Sequence, residues 1–244
     1  MQASRLPGKP LVDIGGMPMI VHVWQCAVAA NAGDVFVATD CSEVAEAVIG
    51  AGGKAVMTRP DHPSGSDRVH EAASRIGEAE IVVNIQGDLP LLDPELVRAC
   101  VAPLDDPETD IATLAAEIDD PGEVIDPNVV KVIGTPATGT GVLRALYFTR
   151  APAPAGYGPF LHHIGIYAFR RAALDRFVSL PASPLEKRER LEQLRALECG
   201  MRIGVHMVGS VPLGVDTPAD LERARALYGA ASGQSQPAAV DVRS

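Results

Sequence analysis

The run "EIVVNIQGD", Glu80–Asp88, decides the fold. Its first half is nearly continuous in apolar and β-branched residues, the pattern of a strand covered on both faces in a helix-flanked sheet. It then stops on Gln86-Gly87-Asp88, where the glycine lets backbone or ligand come close to a carboxylate. "DVFVATD" at 34–40 and "KAVMT" at 54–58 repeat the pattern. Helical patterns fill about 18–32, 42–52 and 66–77, with Pro18 at a first turn and Gly52-Gly53 at an end. This alternation predicts an α/β fold with a mostly parallel, twisted sheet flanked by helices.

Between about 110 and 170 the texture changes. "DIATLAAEI", "VVKVIG", "VLRALYFT" and "HHIGIYAF" follow one another as strands with little helix between, predicting a smaller, mixed-sheet lobe inserted in the domain. Helical periodicity returns in "LEKRERLEQLRALEC", 185–199, with Leu185, Leu191, Leu194 and Leu197 on one face. A last strand, "RIGVHMV", leads to a helix in "GVDTPADLERARAL". One domain over 1–229 is expected, followed by a small, polar tail over 230–244 that is expected to be disordered.

At 244 residues and 47% hydrophobic content, the chain can bury a sizeable core. Its net charge of −10 argues against nucleic-acid and anionic-membrane partners, so any polyanion bound must be small and locally neutralised. The four cysteines (Cys26, Cys41, Cys100, Cys199) are far apart without a CxxC pair, so thiols in a reducing cytoplasm are expected rather than a zinc site or disulfides. No apolar run of 18 residues and no signal peptide is visible.

In open α/β sheets the ligand crevice lies beyond the carboxyl ends of strands, which nominates "ATD" (38–40), "QGD" (86–88) and "GVD" (214–216). Asp88 reads either as a metal carboxylate or as an ordinary turn residue before Pro90. Asp216 stands just outside a cap that Thr217, Pro218 and Asp220 already form, which leaves its carboxylate free for a cation. Near the start, Arg5 and Lys9 bracket Leu6-Pro7-Gly8, a stiff turn that pre-orders two cations and leaves room for phosphate oxygens. "SGSDR", 64–68, opens a helix with small residues, suited either to an anion or to simple capping. His162 and His163 lie in one strand and point to opposite faces, so they cannot chelate one metal together. There is no Walker loop, no GxGxxG after a strand and no DxD triplet ending a strand, which removes support for P-loop, dehydrogenase and glycosyltransferase chemistry.

Taken in order, "SRLPGKPL", "VATD", "SGSDR", "VNIQGDLP", "NVVKVI", "ALYFTRA", "HHIGIYAFR", "SPLEKRERLEQLRAL" and "GVDTPADLERAR" resemble the CMP-KDO synthetase (3-deoxy-manno-octulosonate cytidylyltransferase) family over about residues 3–228. The resemblance implies a nucleotidyltransferase-type α/β fold, a homodimer, and magnesium-assisted transfer of CMP from CTP to the sugar acid KDO in the cytoplasm, for lipopolysaccharide biosynthesis. It implies Arg5, Lys9, Asp88 and Asp216 as catalytic residues, with Asp88 and Asp216 holding Mg2+. The nucleotide would be met by Arg5, Lys9, Ala38, Thr39, Asp40, Ser64, Arg68 and Gln86. The sugar would be met by Gln86, Arg150, His163, Tyr167, Glu192 and Gln193, with the smaller lobe serving dimerisation and sugar binding.

The chain departs from that family's pattern in four places. The family's first strand ends in Pro-Ala-Arg ahead of the RLPGKP loop, whereas only Met1, Gln2 and Ala3 precede Ser4 here, so a strand upstream of the given start is expected. Leu89 stands where a Glu usually follows QGD; "TRAPAPA" replaces a stretch that often carries an aromatic; and "VPLGVD" is a short loop. Alternatives are a cytidylyltransferase for 8-amino-KDO or sialic acid, or an inactive paralogue that binds CTP or sugar.

Overall fold

The computed structural model describes residues 6–137 and 141–233, the last three as backbone only. The cation-bearing loop closes in a 3-10 turn, Lys9–Leu11, behind Gly8 in the left-handed region (φ 66°). A short antiparallel pair follows, β1 (Asp13–Ile14) with β2 (Met17–Pro18), and α1 (Met19–Ala29) starts directly after Pro18. Then come β3 (Phe36–Thr39), α2 (Ser42–Gly50), β4 (Lys54–Met57), α3 (Gly65–Ile76), β5 (Ile81–Asn84) and α4 (Pro94–Val101). The second half contains β6 (Ile111–Glu117), α5 (Pro121–Ile125), β7 (Lys131–Pro136), β8 (Val142–Thr149) and β9 (Leu161–Arg170). It ends with α6 (Arg171–Ser179), α7 (Pro184–Glu189), α8 (Leu194–Glu198), β10 (Ile203–Val208) and α9 (Pro218–Gly233).

The alternating elements give the α/β fold expected, but the sheet is mixed rather than mostly parallel. Six strands pair in the order β5-β9-β6-β10-β8-β7. Within them only β6–β10 is parallel, and β3 with β4 makes a separate two-stranded parallel sheet. The strands between 110 and 170 therefore do not stand apart as a smaller sheet; they join β5 and β10. The cause is β9, which runs antiparallel between β5 and β6 and carries the second half into the first. β3, β4 and β5 are only partly buried, not covered on both faces, whereas β6 is buried from Ile111 to Ala116. β3 and β5 both pack against α3. The strand expected ahead of Ser4 lies outside the described residues.

The sheet divides two cores. Ile111, Ala115, Tyr167 and Phe169 meet α6 through Leu174 and Phe177 on one face, while Ala112, Leu114, Ile164 and Ala168 meet α4 through Val97 and Cys100 on the other. A third cluster positions the site: Leu6, Ile14 and Met19 pack with Val215, Leu221 and Ala224, bolting the first loop to the last helix. Burying this set at about 25 cal/mol per Å2 of apolar surface is the force that brings the two chain ends together.

Gly15 sits inside that joint at φ 61°, and a Cβ there would run into the Tyr228 ring. Gly15→Ala is therefore expected to lower stability by about 1–3 kcal/mol through left-handed strain and overpacking, read as a shift of the urea midpoint. The helix expected at 185–199 is broken. Arg190 adopts a left-handed conformation (φ 58°), ending α7, and α8 resumes only at Leu194, so Glu192 and Gln193 lie in the gap. At the other end, α9 continues through Gly233, past the expected boundary at 229; the remainder of the tail is outside the described residues.

Candidate active site

Lys9 is the centre of the constellation. Its Nζ donates to Asp88 Oδ2 at 2.8 Å and to Asp216 Oδ1 at 2.7 Å, joining positions 79 and 207 residues away. Burial pulls the Lys9 pKa down, but hydrogen bonds and charge attraction from Asp216 and Asp88 outweigh it and leave the ammonium's pKa raised. Local structure fixes both carboxylates. Val215 N–H donates to the Asp88 carbonyl at 2.9 Å, tying the two loops, while Asp220 accepts from the Asp216 and Thr217 amides and from Thr217 Oγ1. The Thr217–Asp220 pair does cap α9, and Asp216 is left to reach a cation as its position suggested. Arg5 lies outside the described residues.

The two carboxylate oxygens around Lys9 are at most about 5.5 Å apart. Ligands on one magnesium ion at about 2.1 Å are no more than about 4.2 Å apart, so an ion shared by this pair requires Lys9 Nζ to leave the space between them. Among the described residues no group of three His, Cys, Asp or Glu side chains forms a metal cluster. Two carboxylates with substrate oxygens and water completing the shell are what Mg2+ takes in phosphate sites, so the residues present fit that ion.

Beside this cluster, Arg68 on α3 pairs with Asp40 at 3.2 Å and donates to Thr58 Oγ1 at 2.7 Å. Thr39 is buried at the end of β3, with its hydroxyl accepting from the Cys41 amide at 3.1 Å; Ala38 precedes it. Ser64 caps α3, its hydroxyl accepting from the Asp67 amide at 3.3 Å and donating to Asp67 Oδ2 at 2.6 Å, which is the capping reading of "SGSDR". Gln86 lies in the loop after β5, with its amide near Gly65. Ser66, fully buried, donates to Glu192 Oε1 at 2.6 Å and so draws the α7–α8 gap onto the start of α3.

Glu192 in turn faces Tyr167. Burial and then the Glu192 charge push the Tyr167 phenol well above its ordinary pKa, so it stays protonated as a donor. His163 packs edge-on to Phe148 at 4.9 Å between ring centres and lies 5.5 Å from Tyr167. The neighbouring His162 instead meets Glu123 at 3.2 Å, as alternation along a strand requires. Gln193 is buried, and among the described residues its Nε2 has no protein partner, a donor suited to a ligand. Arg150 stands just after β8. Its Nε donates to the Glu189 carbonyl at 2.9 Å, its Nη1 to the Pro127 carbonyl at 2.8 Å, and its amide to Glu189 Oε2 at 3.0 Å.

Burial, with a smaller push from His162, holds the His163 pKa down to about 3. The folded chain therefore keeps the ring neutral where the unfolded chain, titrating near 6.5, takes up a proton. The sign follows: the His163 contribution is neutral above about pH 6.5 and becomes a growing penalty on the fold as pH falls toward 3. Between pH 7 and pH 5 this residue is expected to cost about 2 kcal/mol, read as the difference in urea stability between the wild type and His163→Asn at the two pH values. Its imidazole resonances should not titrate between pH 5 and 8.

Four supporting residues escaped sequence reasoning: Thr113, Lys131, Ser66 and Glu189. Glu189 accepts from the Thr149 hydroxyl at 3.0 Å as well as from the Arg150 amide, yet within "LEKRERLE" it is indistinguishable from a solvated helix face. Lys131 did carry a signal, a lone charge in the otherwise apolar strand "VVKVI".

The comparisons bear on this geometry. A family model described as cytidylyltransferase matches residues 1–203. A 3-deoxy-manno-octulosonate cytidylyltransferase of Azorhizobium caulinodans is 66% identical over 230 residues, 93% of this chain and 92% of the relative. This chain belongs to the 3-deoxy-manno-octulosonate cytidylyltransferase family. A second cytidylyltransferase of that family, from Rhodopseudomonas palustris strain BisB5, is 65% identical over 94% of each chain. The solved structure of CMP:2-keto-3-deoxy-manno-octonic acid synthetase complexed with CTP superposes with a TM-score of 0.87 at 44% identity, covering 93% of this chain and 94% of that one. A nucleotidyl transferase from Methanothermobacter shares the fold at a TM-score of 0.56 and 17% identity, covering 91% and 86%. The cytidylyltransferase fold read from the sequence is thus the fold present.

Proposed function

We propose that this chain transfers CMP from CTP to 3-deoxy-manno-octulosonate, releasing pyrophosphate and supplying the activated sugar acid for lipopolysaccharide assembly. The observation that carries the reading is the meeting of Lys9, Asp88 and Asp216 at one point in a chain 66% identical to a cytidylyltransferase of that name. The anomeric hydroxyl attacks the α-phosphorus of CTP, a new P–O bond forms, and the bond to pyrophosphate breaks as the hydroxyl proton leaves to water. Both partners are anions, so their repulsion is the first barrier. Asp88 and Asp216 would hold Mg2+, which would screen that repulsion and acidify the hydroxyl.

Lys9, with Arg5, meets the triphosphate and stabilises charge gathering on the departing pyrophosphate. Ala38, Thr39, Asp40, Ser64, Arg68 and Gln86 form the nucleoside side. Gln86, Arg150, His163, Tyr167, Glu192 and Gln193 orient the sugar acid, converting an encounter of two solutes into one aligned pair. The protein acts as a cytoplasmic homodimer; no helix of the described residues is long and apolar enough to cross a membrane, and the half-exposed Leu146 on β8 is apolar surface that a second copy would cover.

The test is pyrophosphate release from CTP with 3-deoxy-manno-octulosonate, its 8-amino analogue and a sialic acid, each with magnesium. The first sugar is expected to give the highest kcat/KM. Preference for either of the others would reassign the substrate, and CTP binding without release on any of them would make the chain a binding protein.

A further inference from the structure

The strands that carry the sugar side break step at one place. β6 and β9 pair Thr113 with Tyr167 but Leu114 with Ile164, so Gly165 and Ile166 are extra residues on β9. The interruption disturbs the ladder where His163 and Tyr167 are presented. Thr113, fully buried, fills it: its Oγ1 lies 2.8 Å from the Ile166 carbonyl, 3.1 Å from the Ile164 carbonyl and 3.0 Å from His163 Nε2.

The proton count around that hydroxyl is restrictive. A threonine hydroxyl has one proton to give and lone pairs to receive with, and a carbonyl oxygen only accepts. With two carbonyls in reach, the proton goes to them, and the remaining neighbour, the ring nitrogen, must be the donor. At neutral pH the buried ring carries a single proton, since its pKa is held down to about 3. That proton therefore sits on Nε2, and Nδ1 keeps a bare lone pair. Among the described residues Nδ1 has no protein partner, and His163 as a whole residue retains 8% exposure.

We infer that Thr113 is a positioning residue that fixes His163 as the Nε2–H tautomer, making its Nδ1 an acceptor that recognises a hydroxyl of the sugar and not its carboxylate. The inference rests on the reading of His163 as a sugar contact. It divides the labour within the sugar side: the carboxylate is left to donors such as Arg150 and Gln193, and His163 selects for an O–H at a defined position. A serine at 113 would preserve the arrangement, whereas valine, nearly the same shape, would remove the acceptor for Nε2–H and the one hydroxyl proton shared by the Ile164 and Ile166 carbonyls, of which Ile166 keeps the Cys100 thiol.

Nitrogen-15 spectra of the histidine rings in the full chain, free of substrate at pH 7, test the first half. The Nε2–H form of His163 is expected; an Nδ1–H ring overturns the inference. For the second half, Thr113→Val is expected to raise the sugar KM about tenfold with the CTP KM within twofold, and Thr113→Ser to restore it; an unchanged sugar KM in a folded Thr113→Val overturns it. Deoxy analogues of the sugar acid give a reading that needs no valine variant. One missing hydroxyl should cost wild type heavily and His163→Asn little, and equal costs in both overturn hydroxyl recognition. A correct tautomer in a chain inactive on sugar acids would instead locate the error in the substrate assignment, ending the recognition half.

Discussion

Asp88→Ala and Asp216→Ala are each expected to lower pyrophosphate release by on the order of 10^3-fold or more while leaving the fold intact. The two carboxylates are supplied by loops that nothing but tertiary structure brings together, and they are aimed at one cation-sized point. Losing either leaves a single carboxylate, too little to hold a magnesium ion against the pull of a free triphosphate. The fold should survive because the Asp216 side chain is 70% exposed and the cap of α9 depends on Thr217 and Asp220 instead. Asp88 holds the loops through its backbone carbonyl, which alanine retains. Pyrophosphate release at saturating CTP and sugar, with magnesium titrated upward, is the measurement, and thermal melts report the fold. Activity within tenfold of wild type at ordinary magnesium would reject the metal assignment. Partial recovery at high magnesium would support it, because a weakened site fills by mass action.

How far the sequence carried this reading differs by residue. Helices α1, α2 and α3 and strands β3, β4 and β5 were legible because each is local: an apolar run, a glycine or proline stop, an amphipathic helix; α4 (Pro94–Val101) and α6 (Arg171–Ser179) were not read from the sequence. The strand order was not. β9 pairs with β5 and β6 across more than forty residues of chain, and no short-range pattern records such a partner. Apolar alternation told that strands existed between 110 and 170, but not that they would complete the main sheet. The break at Arg190 was equally hidden, since leucines on either side keep a helical spacing through a residue that takes a left-handed turn without being glycine. At the site, Asp88 and Asp216 stood out because strand ends and caps have a grammar. Thr113 and Ser66 act through partners 50 and 126 residues away, and their role exists only once the chain has folded.

Lys131→Met is expected to lower stability by about 2–4 kcal/mol and to raise the sugar KM at least tenfold, with the CTP KM within about threefold. Lys131 is fully buried, yet among the described residues no carboxylate is bonded to it: Nζ donates to the carbonyls of Val129 at 2.7 Å, Asp126 at 2.9 Å and Arg150 at 3.1 Å. Three acceptors require three protons, so the group is an ammonium, although burial lowers its pKa. Such a buried charge is costly and persists because it satisfies three carbonyls at once. Two of them belong to the turn that enters β7, and the third is the backbone of Arg150. The ammonium therefore ties the turn that supports His163, whose amide donates to the Val130 carbonyl at 2.8 Å, to the residue assigned to the sugar carboxylate. Methionine fills the stem's volume and gives no donor, leaving three acceptors buried and removing the tie on the Arg150 carbonyl, while the Arg150 amide and guanidinium keep their bonds to Glu189 and Pro127. Urea melts read the first effect and steady-state kinetics the second. A stable variant with an unchanged sugar KM would show the clamp to be dispensable, whereas a loss of stability with both KM values unchanged would confine Lys131 to the fold and detach it from the sugar side.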